Sequence, residues 1–427
     1  MERIYFQTHG CSTNVSETEV MQGLLNKAGF AIVDEPQEAD ILIINICTVK
    51  GEETAIREIR KLSESYLEKK LIVAGCITRA IIKEARKIRE DASLIDTHNI
   101  NKIVEVVEEV INDNAITAMG RDEYIKINFP KIRKNPVVGI IPILNSCANY
   151  CSYCSVRYVK GKLFSYPTPD IIAEARKAVE QGCRELWITS QDNAAYMLEK
   201  EQKTKLPELV NCITAIDGKF FVRIGMMNPK HLLEVLGDMI EVYKNEKVFK
   251  FLHVPVQSGN DKILELMKRG YKIEDFRRII SEFKKNIPDI TISTDIICGF
   301  PTETEEQFQD SINLIREIKP SVLNISRFQP RPGTEAAEMK GQIDGGTTKD
   351  RSRLLTEIFA NISRMSNEQW LNWEGKILID EKGKDDSWIG RNSSYKPVIV
   401  KRDVKLGDFV NVKISNSAIY DLRGEVY

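Results

Sequence analysis

Three cysteines near residue 150 are spaced closely enough to bind one metal cluster. Cys147, Cys151 and Cys154 form a C-x3-C-x2-C run directly after the apolar stretch 137–144. Three thiolates on a loop that leaves a strand can hold three irons of a four-iron cluster, which normally takes four cysteine ligands. The next cysteine is Cys183, so one iron would stay open to a small molecule. A structural zinc site is the alternative, but zinc takes four Cys or His ligands and no histidine follows within twenty residues.

Three more cysteines lie far apart in sequence but at equivalent places in the predicted fold. Cys11 comes just after the first predicted strand, Cys47 ends the third and Cys76 ends the fourth. Parallel sheets bind ligands at the carboxyl ends of their strands, so we expect these thiols to converge on a second three-thiolate cluster with an open iron. Buried core cysteines are the alternative interpretation. The remaining three are interpreted as packing or surface thiols: Cys183, Cys212 and Cys298.

The first 112 residues alternate short apolar runs with helical patterns. The predicted strands are Arg3 to Thr8, Ala31 to Asp34, Ile41 to Cys47, Leu71 to Gly75 and Ser93 to Asp96. Ser16 and Glu19 have the spacing of a capping box, which predicts that the first helix begins there. Repeated strand–helix units of this length predict a flavodoxin-like parallel sheet in a domain of residues 1–112, followed by a linker over 113–136.

Strand–helix alternation resumes over residues 137–335. The predicted strands are Val137 to Leu144, Glu185 to Thr189, Phe220 to Gly225, Phe251 to Pro255, Thr291 to Cys298 and Val322 to Phe328. Six units predict a partial (βα)6 barrel of the TIM type, open enough for a macromolecular substrate. Active-site groups of such barrels come from the carboxyl ends of the strands. A helical connector is predicted over residues 336–369.

Residues 370–427 form short apolar runs separated by glycines, which predict a small β-barrel. Its predicted strands are Lys376 to Glu381, Ile389 to Arg391, Pro397 to Lys401 and Phe409 to Ser415. The stretch between residues 391 and 413 is locally basic, with Arg391, Lys396, Lys401, Arg402, Lys405 and Lys413. Together with Trp388 and Tyr395 these cations predict an RNA-binding surface, and a solvated charged face is the alternative.

The overall composition restricts the location and the partners. With 29% charged and 42% hydrophobic residues and a formal net charge of -1, the chain has no global attraction to nucleic acid, so an RNA site must be a local patch. No apolar stretch approaches the length of a membrane span. Nine cysteines and an N-terminus without the pattern of a signal peptide predict a cytoplasmic protein whose cysteines bind metal or react rather than form disulfides.

Several motifs together resemble the radical-SAM methylthiotransferase family, where SAM is S-adenosylmethionine. The resemblance spans the chain and is carried by Gly10-Cys11-x-x-Asn14, Asn45-x-Cys47-Thr48-Val49, Ala74-Gly75-Cys76, the C-x3-C-x2-C loop with Tyr153, Ser190-Gln191-Asp192, Val254-Pro255-x-Gln257-Ser258-Gly259-Asn260, Asp295-x-Ile297-x-Gly299-Phe300-Pro301-Thr302-Glu303 and Pro332-Gly333-Thr334. It implies an N-terminal cluster domain, a radical-SAM barrel and a C-terminal TRAM domain. It also implies two 4Fe-4S clusters, with one SAM as methyl donor and a second SAM cleaved to a radical. The open irons, rather than protein side chains, would carry the catalysis.

A SAM site needs polar groups for the ribose and the amino group, a cation for the carboxylate and an apolar slot for the adenine. We predict Arg223 as the cation and Gln191 and Asp192 as contacts of the ribose or the amino group. Gln257 and Phe328 are predicted on the adenosyl side. Tyr153 and Asp295 complete the predicted set of cofactor contacts. The box at Thr304 and Gln307 is expected to cap the helix after Asp295, which leaves that carboxylate for the site.

The resemblance also suggests a substrate. The runs Thr189 to Tyr196 and Met226 to Pro229 are similar to the archaeal and eukaryotic branch that acts on threonylcarbamoyladenosine in the tRNA anticodon stem-loop. Isopentenyladenosine tRNA and a ribosomal-protein aspartate are the alternatives within the family. The implied partners are tRNA, a reductant protein such as ferredoxin or flavodoxin, and a sulfur donor, with neither membrane nor DNA. Met197 departs from the family pattern, since a glycine is frequent there.

Two other classes of protein remain as alternatives. A cobalamin-dependent radical-SAM methylase would carry a D-x-H-x-x-G motif, and the nearest match is Asp96-x-His98 with Asn101 at the glycine position. Such an enzyme would have no use for three cysteines at strand ends. An iron–sulfur electron carrier or a noncatalytic RNA-binding module would be expected to have closed clusters, and both predicted clusters lack a fourth cysteine.

Overall fold

The computed structural model describes residues 2–48, 51–120 and 124–427. Val49 of the family motif and residues 121–123 of the predicted linker lie outside these ranges. The chain divides into two compact units. The first contains residues 1–134, 140–147 and 155–174, and the second contains 135–139, 148–154 and 175–427.

The first unit is built on a parallel sheet. Its strands are β1 (Arg3–Thr8), β2 (Ala31–Val33), β3 (Ile41–Ile46), β4 (Lys70–Gly75), β5 (Ser93–Asp96) and β6 (Thr117–Ala118). Its helices are α1 (Ser12–Lys27), α2 (Glu52–Ser65), α3 (Arg79–Ile88) and α4 (Ile103–Ile111). The spatial order β2-β1-β3-β4-β5-β6 confirms the predicted flavodoxin-like sheet, and β6 lies inside the predicted linker.

Alternation along the central strands gives this sheet two apolar faces. In β3, Ile41 and Ile43 pack into one core cluster with Val20 of α1. Leu42 and Ile44 pack into the other cluster, which includes residues of α2 and α3. Successive side chains of a strand point to opposite faces, so a strand buried on both sides is apolar at successive positions, as Ile41 to Ile44 are.

The predicted capping box at Ser16 is wrong. Helix α1 begins at Ser12, with Cys11 as its N-cap residue. Ser16 and Glu19 are 1% and 2% exposed inside the helix. Residues with the spacing of a capping box cap a helix only when they lie in its first turn. Here the backbone turns at Gly10 (φ +136°), and the helix starts one turn earlier than predicted.

Two short strands and two helices of residues 144–180 follow. Strand β8 (Leu144–Asn145) pairs antiparallel with β9 (Phe164–Ser165), α5 spans Val156–Lys160 and α6 spans Thr168–Glu180. The C-x3-C-x2-C loop lies between β8 and α5. Asn145 Nδ2 donates to the Lys160 carbonyl (3.0 Å) and Ser146 Oγ to the Gly161 carbonyl (2.6 Å), so that the two ends of this segment are tied together.

The second unit contains the strands of the partial barrel, except for residues 140–142 of the first of them, which belong to the first unit. These are β7 (Val138–Pro142), β10 (Glu185–Thr189), β11 (Phe221–Ile224), β12 (Phe251–His253), β13 (Thr291–Cys298) and β14 (Val322–Arg327). They form two three-stranded sheets, β11-β10-β7 and β12-β13-β14. The helices are α7 (Leu206–Thr214), α8 (Pro229–Glu234), α9 (Leu236–Lys244), α10 (Asp261–Leu266), α11 (Ile273–Asn286), α12 (Glu305–Ile318), α13 (Glu335–Glu338) and α14 (Gly345–Glu368). The predicted capping box at Thr304 and Gln307 is present.

The last strands close into a barrel. They are β15 (Glu374–Lys382), β16 (Trp388–Arg391), β17 (Pro397–Val400), β18 (Phe409–Ser417) and β19 (Leu422–Val426), in the order β15-β16-β17-β19-β18. Four of the five were predicted, and β19 closes the barrel by pairing with β17 and β18. Ile377, Val398, Val412 and Ile414 fill its interior.

Candidate functional site

The structure brings Cys11, Cys47 and Cys76 together at one edge of the N-terminal sheet. The thiol of Cys47 shares hydrogen bonds with the thiols of both other cysteines. Its hydrogen bond to Cys11 is the main reason that the pKa of Cys11 falls to about 5. The same two bonds and burial raise the pKa of Cys47. Cys47 therefore keeps its proton between two thiols whose pKa values are lowered.

Two buried asparagines fix the strand ends that carry these thiols. Asn14 Nδ2 donates to Asn45 Oδ1 (3.1 Å) and to the Ile46 carbonyl (2.9 Å). Asn45 Nδ2 donates in return to the Asn14 carbonyl (2.9 Å). The Cys11 thiol reaches Asn14 Oδ1 at 3.4 Å. Because this pair joins α1 to β3, it sets the distance between Cys11 and Cys47.

Glycines give the thiols room. Gly10 has a φ of +136°, and a Cβ there would come within 2.6 Å of the Cys47 Cβ. Gly75 has a φ of +103°, and its Cβ would meet the amide oxygen of Asn45. Any larger residue would therefore be strained and would collide with the site.

Beside this triad lies a group of buried charges that the sequence did not reveal. Lys126 Nζ lies 3.0 Å from Glu17 Oε1, and Lys160 Nζ lies 3.8 Å from the same oxygen. Burial raises the pKa of Glu17, but the two lysines and the Thr97 hydroxyl bring it below its ordinary value. The sequence alone does not reveal this group, because tertiary contacts, and not a local sequence pattern, determine whether a lysine is buried.

The C-x3-C-x2-C loop is anchored between its second and third cysteines. Ser152 N donates to the Met267 carbonyl (3.1 Å) and Ser152 Oγ to the Leu266 carbonyl (2.7 Å). Its own carbonyl accepts from Ala336 N at 2.9 Å. Three bonds from one residue to two distant segments hold this part of the loop in a single conformation.

Arg269 is a second functional candidate that the sequence did not reveal. It is 6% exposed, and its guanidinium donates to Cys151 Sγ (3.3 Å), the Pro255 carbonyl (2.9 Å) and the Tyr271 hydroxyl (3.1 Å). Burial would lower the pKa of Arg269, but Tyr153, Tyr271 and Cys151 raise it well above its ordinary value. A fixed cation therefore faces the sulfur of Cys151.

Asp192, a predicted cofactor contact, supports the cysteine loop. It is 1% exposed, and its carboxylate accepts from Asn149 Nδ2 (3.0 Å) and from Asn228 N (2.9 Å). His231 Nε2 lies 3.2 Å from Asn149 Oδ1. Burial raises the pKa of Asp192 to about 6. Neighbouring Gln191 is half-buried, and its buried side-chain oxygen has no hydrogen-bond partner among the described residues.

Arg223, the predicted partner of the SAM carboxylate, lies among aromatic rings. Its guanidinium carbon is 5.1 Å from the Trp187 ring, 5.0 Å from the Phe251 ring and 5.1 Å from the Tyr395 ring. Its Nε is buried and has no hydrogen-bond partner in the described ranges of the chain. Stacking on three rings holds the cation in place.

Of the other predicted contacts, Asp295 lies within β13, whereas Gln257 and Phe328 follow β12 and β14. Asp295 Oδ1 is 3.0 Å from His253 Nε2 and accepts from Asn324 Nδ2 at 2.7 Å. Although burial raises the pKa of Asp295, these partners bring it below its ordinary value. Gln257 has a φ of +78° and donates its backbone N–H to the Asp295 carbonyl (2.8 Å), which joins this pair to the fourth strand end.

An aromatic row connects the cysteine loop with the last barrel strand. Tyr153 meets Phe300 edge-on at 6.4 Å, and Phe300 meets Phe328 edge-on at 5.6 Å. Phe300 is fully buried, whereas Tyr153 and Phe328 are partly exposed. Tyr153 and Phe328, two of the predicted SAM contacts, therefore present flat apolar ring surfaces.

Part of the predicted RNA-binding surface of the C-terminal barrel is wrong. Arg391 pairs with Asp380 (3.1 Å) and stacks on Tyr395. Lys396 is 5% exposed and donates to Asn367, and burial lowers its pKa to about 8. Tyr395 packs against Phe249 and its hydroxyl donates to Glu185. The exposed cations of the six are Lys401, Arg402, Lys405 and Lys413.

The departure at Met197 has a structural consequence. Its φ is +67°, a conformation that glycine adopts without strain and other residues adopt at a cost. The glycine that is frequent there in the family suits this turn better.

Iron–sulfur clusters suit both cysteine sets. Among the described residues, no three or more Cys, His, Asp or Glu side chains converge as the ligands of one metal ion. A four-iron cluster makes no such demand, because each thiolate binds a different iron. A cluster with three thiolates is anionic, and each set has a buried cation beside it, Arg269 in one case and Lys160 in the other.

Comparison with known proteins identifies the family. Three family models match the chain: the radical SAM superfamily over residues 141–315, the uncharacterised protein family UPF0004 over 3–96 and the TRAM domain over 374–427. The probable threonylcarbamoyladenosine tRNA methylthiotransferase of Methanothermobacter thermautotrophicus is 38% identical over 417 residues, which cover 97% of each chain. The human threonylcarbamoyladenosine tRNA methylthiotransferase is 35% identical and covers 100% of this chain, which covers 74% of it. The chain belongs to the radical-SAM methylthiotransferase family.

This membership confirms the predicted enzyme class and the partial barrel with its C-terminal TRAM module. As a member of the radical SAM superfamily, the enzyme uses SAM and an iron–sulfur cluster. Among the described helices, none combines the length and apolar character that a membrane span requires.

Solved structures share the fold at low sequence identity. The radical S-adenosylmethionine methyltransferase TsrM from Kitasatospora setae matches with a TM-score of 0.52 and 12% identity, covering 79% of this chain and 75% of its own. The cobalamin-dependent S-adenosylmethionine radical enzyme OxsB matches with a TM-score of 0.54 and 8% identity, covering 84% and 56%. These matches concern the fold alone. In this chain His98, the partial match to a cobalamin motif, is 5% exposed and lies 3.1 Å from the Val159 carbonyl.

Proposed function

We propose that this enzyme replaces the C2 hydrogen of threonylcarbamoyladenosine, next to the tRNA anticodon, with a methylthio group. One SAM gives its methyl group and leaves as S-adenosylhomocysteine. A second SAM takes up one electron and is cleaved to methionine and a 5′-deoxyadenosyl radical, which removes the C2 hydrogen and becomes 5′-deoxyadenosine. The proposal assigns two 4Fe-4S clusters, held by Cys147, Cys151 and Cys154 and by Cys11, Cys47 and Cys76.

The observation that carries the reaction type is the convergence of the N-terminal thiols. A radical-SAM enzyme that only generates a radical needs one three-thiolate set. A second set, built from three separate strand ends and framed by Asn14 and Asn45, gives a sulfur-inserting enzyme the site it needs for the sulfur that a substrate radical must meet at close range.

The substrate proposal rests on the relatives and on the C-terminal module. The relatives named above are threonylcarbamoyladenosine tRNA methylthiotransferases, one archaeal and one human. The exposed Lys401, Arg402, Lys405 and Lys413 are available to neutralise phosphates, a contribution that falls as the salt concentration rises. A cytoplasmic location, a reductant protein and a sulfur donor belong to the same proposal.

The side chains of the barrel would bind and orient the SAM that is cleaved. The cluster held by Cys147, Cys151 and Cys154 would supply the electron for that cleavage. Gln191, with an unpaired buried oxygen, would accept from the amino or hydroxyl groups. The row of Tyr153, Phe300 and Phe328 would pack against the adenosyl group. Arg223, Gln257 and Asp295 are proposed as contacts at the neighbouring strand ends, with Asp192 holding Asn149 of the cysteine loop.

The domain division belongs to the same proposal. It assigns residues 1–112 to the cluster domain, 113–136 to the linker, 137–335 to the radical-SAM core, 336–369 to the connector and 370–427 to the TRAM-like domain.

The test is mass spectrometry of nucleosides from tRNA that carries threonylcarbamoyladenosine. The protein is loaded with iron and sulfide without oxygen and given SAM and dithionite. We expect a methylthio increment on that nucleoside and one 5′-deoxyadenosine for each. A matched control is Cys183→Ala, since this cysteine is buried and outside both sets. Formation of 5′-deoxyadenosine without an increment on this tRNA would contradict the substrate, and isopentenyladenosine tRNA and the ribosomal protein would be tried next.

A further inference from the structure

Two buried lysines share one carboxylate beside the N-terminal cysteines. The side chains of Lys126, Lys160 and Glu17 are 5%, 4% and 3% exposed. Lys126 and the Thr97 hydroxyl bind Glu17 Oε1 at 3.0 and 2.5 Å, while Lys160 stays 3.8 Å away, beyond hydrogen-bond distance. These three charged side chains therefore carry one positive charge in excess.

Lys160 has no hydrogen-bond partner for its ammonium in the part of the chain that the structure describes. Its backbone is nevertheless fixed, because its carbonyl accepts from Asn145 Nδ2 at 3.0 Å. Buried polar groups in proteins are almost always hydrogen-bonded, and an unpaired buried charge is costly. A fixed buried ammonium with three free donors thus indicates an anion that binds there.

The neighbouring carboxylate of Asp96 does not supply that anion. The carboxylate of Asp96 already accepts from His98 N, Asn99 Nδ2 and Gly120 N, and in the described chain it forms no ion pair with either lysine. The pKa of His98 is lowered, first by burial and then by Lys126, as expected near excess positive charge. Burial lowers the pKa of Lys160, but electrostatic interactions with Glu17 and the three cysteines raise it above its ordinary value, so the ammonium lies within electrostatic range of the thiols.

We propose that the Lys160 ammonium is the hydrogen-bond donor and counter-charge for a small sulfur anion, hydrosulfide or methanethiolate, held at the Cys11, Cys47 and Cys76 site. This role rests on the second cluster of the proposed function. Lys160 acts on the bound sulfur: it stabilises the anion before transfer and orients its lone pairs. No other buried cation of this group is available, since Lys126 is engaged by Glu17 and Thr97.

The test isolates the N-terminal site. In a full-length protein with Cys147→Ala, Cys151→Ala and Cys154→Ala, only this site can hold a cluster. The cluster is loaded anaerobically and titrated with sodium methanethiolate, followed by electron paramagnetic resonance, and its reduction potential is measured. Lys160→Met and Lys160→Arg are compared with Lys131→Met, which removes a buried lysine that pairs with Glu174 instead.

We expect Lys160→Met to weaken methanethiolate binding by about tenfold or more, which is what one charged hydrogen bond contributes. It should also make the reduction potential more negative, because reduction adds negative charge where a cation has been removed. Lys160→Arg should stay within about threefold of the parent, since it keeps the charge and the donors, and Lys131→Met should leave both values unchanged.

Two outcomes would overturn the proposal, and they differ. Equal affinity and equal potential in Lys160→Met and its parent would refute the role of Lys160 while leaving the second cluster in place. If the triple alanine protein takes up no cluster although its circular dichroism is that of the folded chain, the second cluster of the proposed function is wrong and this inference falls with it.

Discussion

The two cysteine sets of this enzyme consist of the same residue type but are built in opposite ways. Cys147, Cys151 and Cys154 lie within one loop, which Ser152 pins through three hydrogen bonds. The other three come from separate strand ends and depend on a whole sheet and on a pair of buried asparagines for their positions. A local loop can be moved between proteins as a unit, whereas the N-terminal site exists only if the sheet folds.

The cations beside the two sets differ in the same way. Arg269 donates one hydrogen bond each to a sulfur, a carbonyl and a hydroxyl. The ammonium of Lys160 is buried and makes no such bond to any residue that the structure describes. We interpret Arg269 as a fixed part of the loop's support and Lys160 as a group whose partner arrives with the reaction.

The largest expected effect comes from breaking the loop. Cys151→Ala should abolish both 5′-deoxyadenosine and the methylthio nucleoside, by at least about 10³-fold or about 4 kcal/mol in the barrier, because SAM cleavage would lose its electron source. Both products are measured in one quenched reaction, with Cys183→Ala beside it. Persistent 5′-deoxyadenosine would mean that the loop does not hold the SAM-cleaving cluster.

Breaking the buried charge group should reduce stability more than activity. Glu17→Gln leaves the ammoniums of Lys126 and Lys160 without their carboxylate, and an uncompensated buried charge costs about 3 to 5 kcal/mol. Urea denaturation of the cluster-free protein, followed by circular dichroism, measures this change. A loss under about 1 kcal/mol would show that the two lysines do not depend on Glu17.

The two cations should differ in what they contribute to folding. Arg269→Met removes three hydrogen bonds from a buried guanidinium and should cost about 3 kcal/mol. Lys160→Met removes an ammonium without such bonds and should change the free energy of unfolding by less than about 1 kcal/mol, because loss of a buried charge offsets loss of its attraction to Glu17. The same urea experiment compares them, and equal losses would contradict the distinction drawn between them.

The smallest effect concerns pH. The pKa of Asp192 is raised to about 6 in the folded chain, against about 4 for an ordinary aspartate. A raised carboxyl pKa gives stability that is complete below the unfolded pKa and is lost as pH rises through about 6. The stability of the parent minus that of Asp192→Asn should therefore fall between pH 4 and 7. A constant difference would show that Asp192 titrates normally.

The sequence is informative where spacing is local. The apolar runs locate most strands within a few residues, and the C-x3-C-x2-C spacing identifies the loop. The sequence misleads where the role of a motif depends on its place in a helix. Ser16 and Glu19 match the spacing of a capping box but lie in the helix interior. Lys396 contributes to a basic stretch in sequence, but its side chain is buried and bonded to Asn367.

The convergence of residues that are far apart in the chain is harder to predict from the sequence. Strand ends suggest that Cys11, Cys47 and Cys76 meet, because parallel sheets align their carboxyl ends. Nothing in the residues after Cys154 indicates that Lys160 will be buried near those thiols, and Lys268-Arg269-Gly270 resembles a surface turn. Tertiary contacts determine which charged side chains are buried, so no local sequence pattern identifies them.

The ratio of methylthio nucleoside to 5′-deoxyadenosine formed by Cys76→Ala tests most directly whether the two cysteine sets have different roles. In the cluster-loaded protein with SAM, dithionite and tRNA, the account predicts that 5′-deoxyadenosine still forms while the methylthio nucleoside disappears. The contradicting result is a methylthio nucleoside made at the parent's ratio to 5′-deoxyadenosine, which would show that sulfur insertion does not require the N-terminal set.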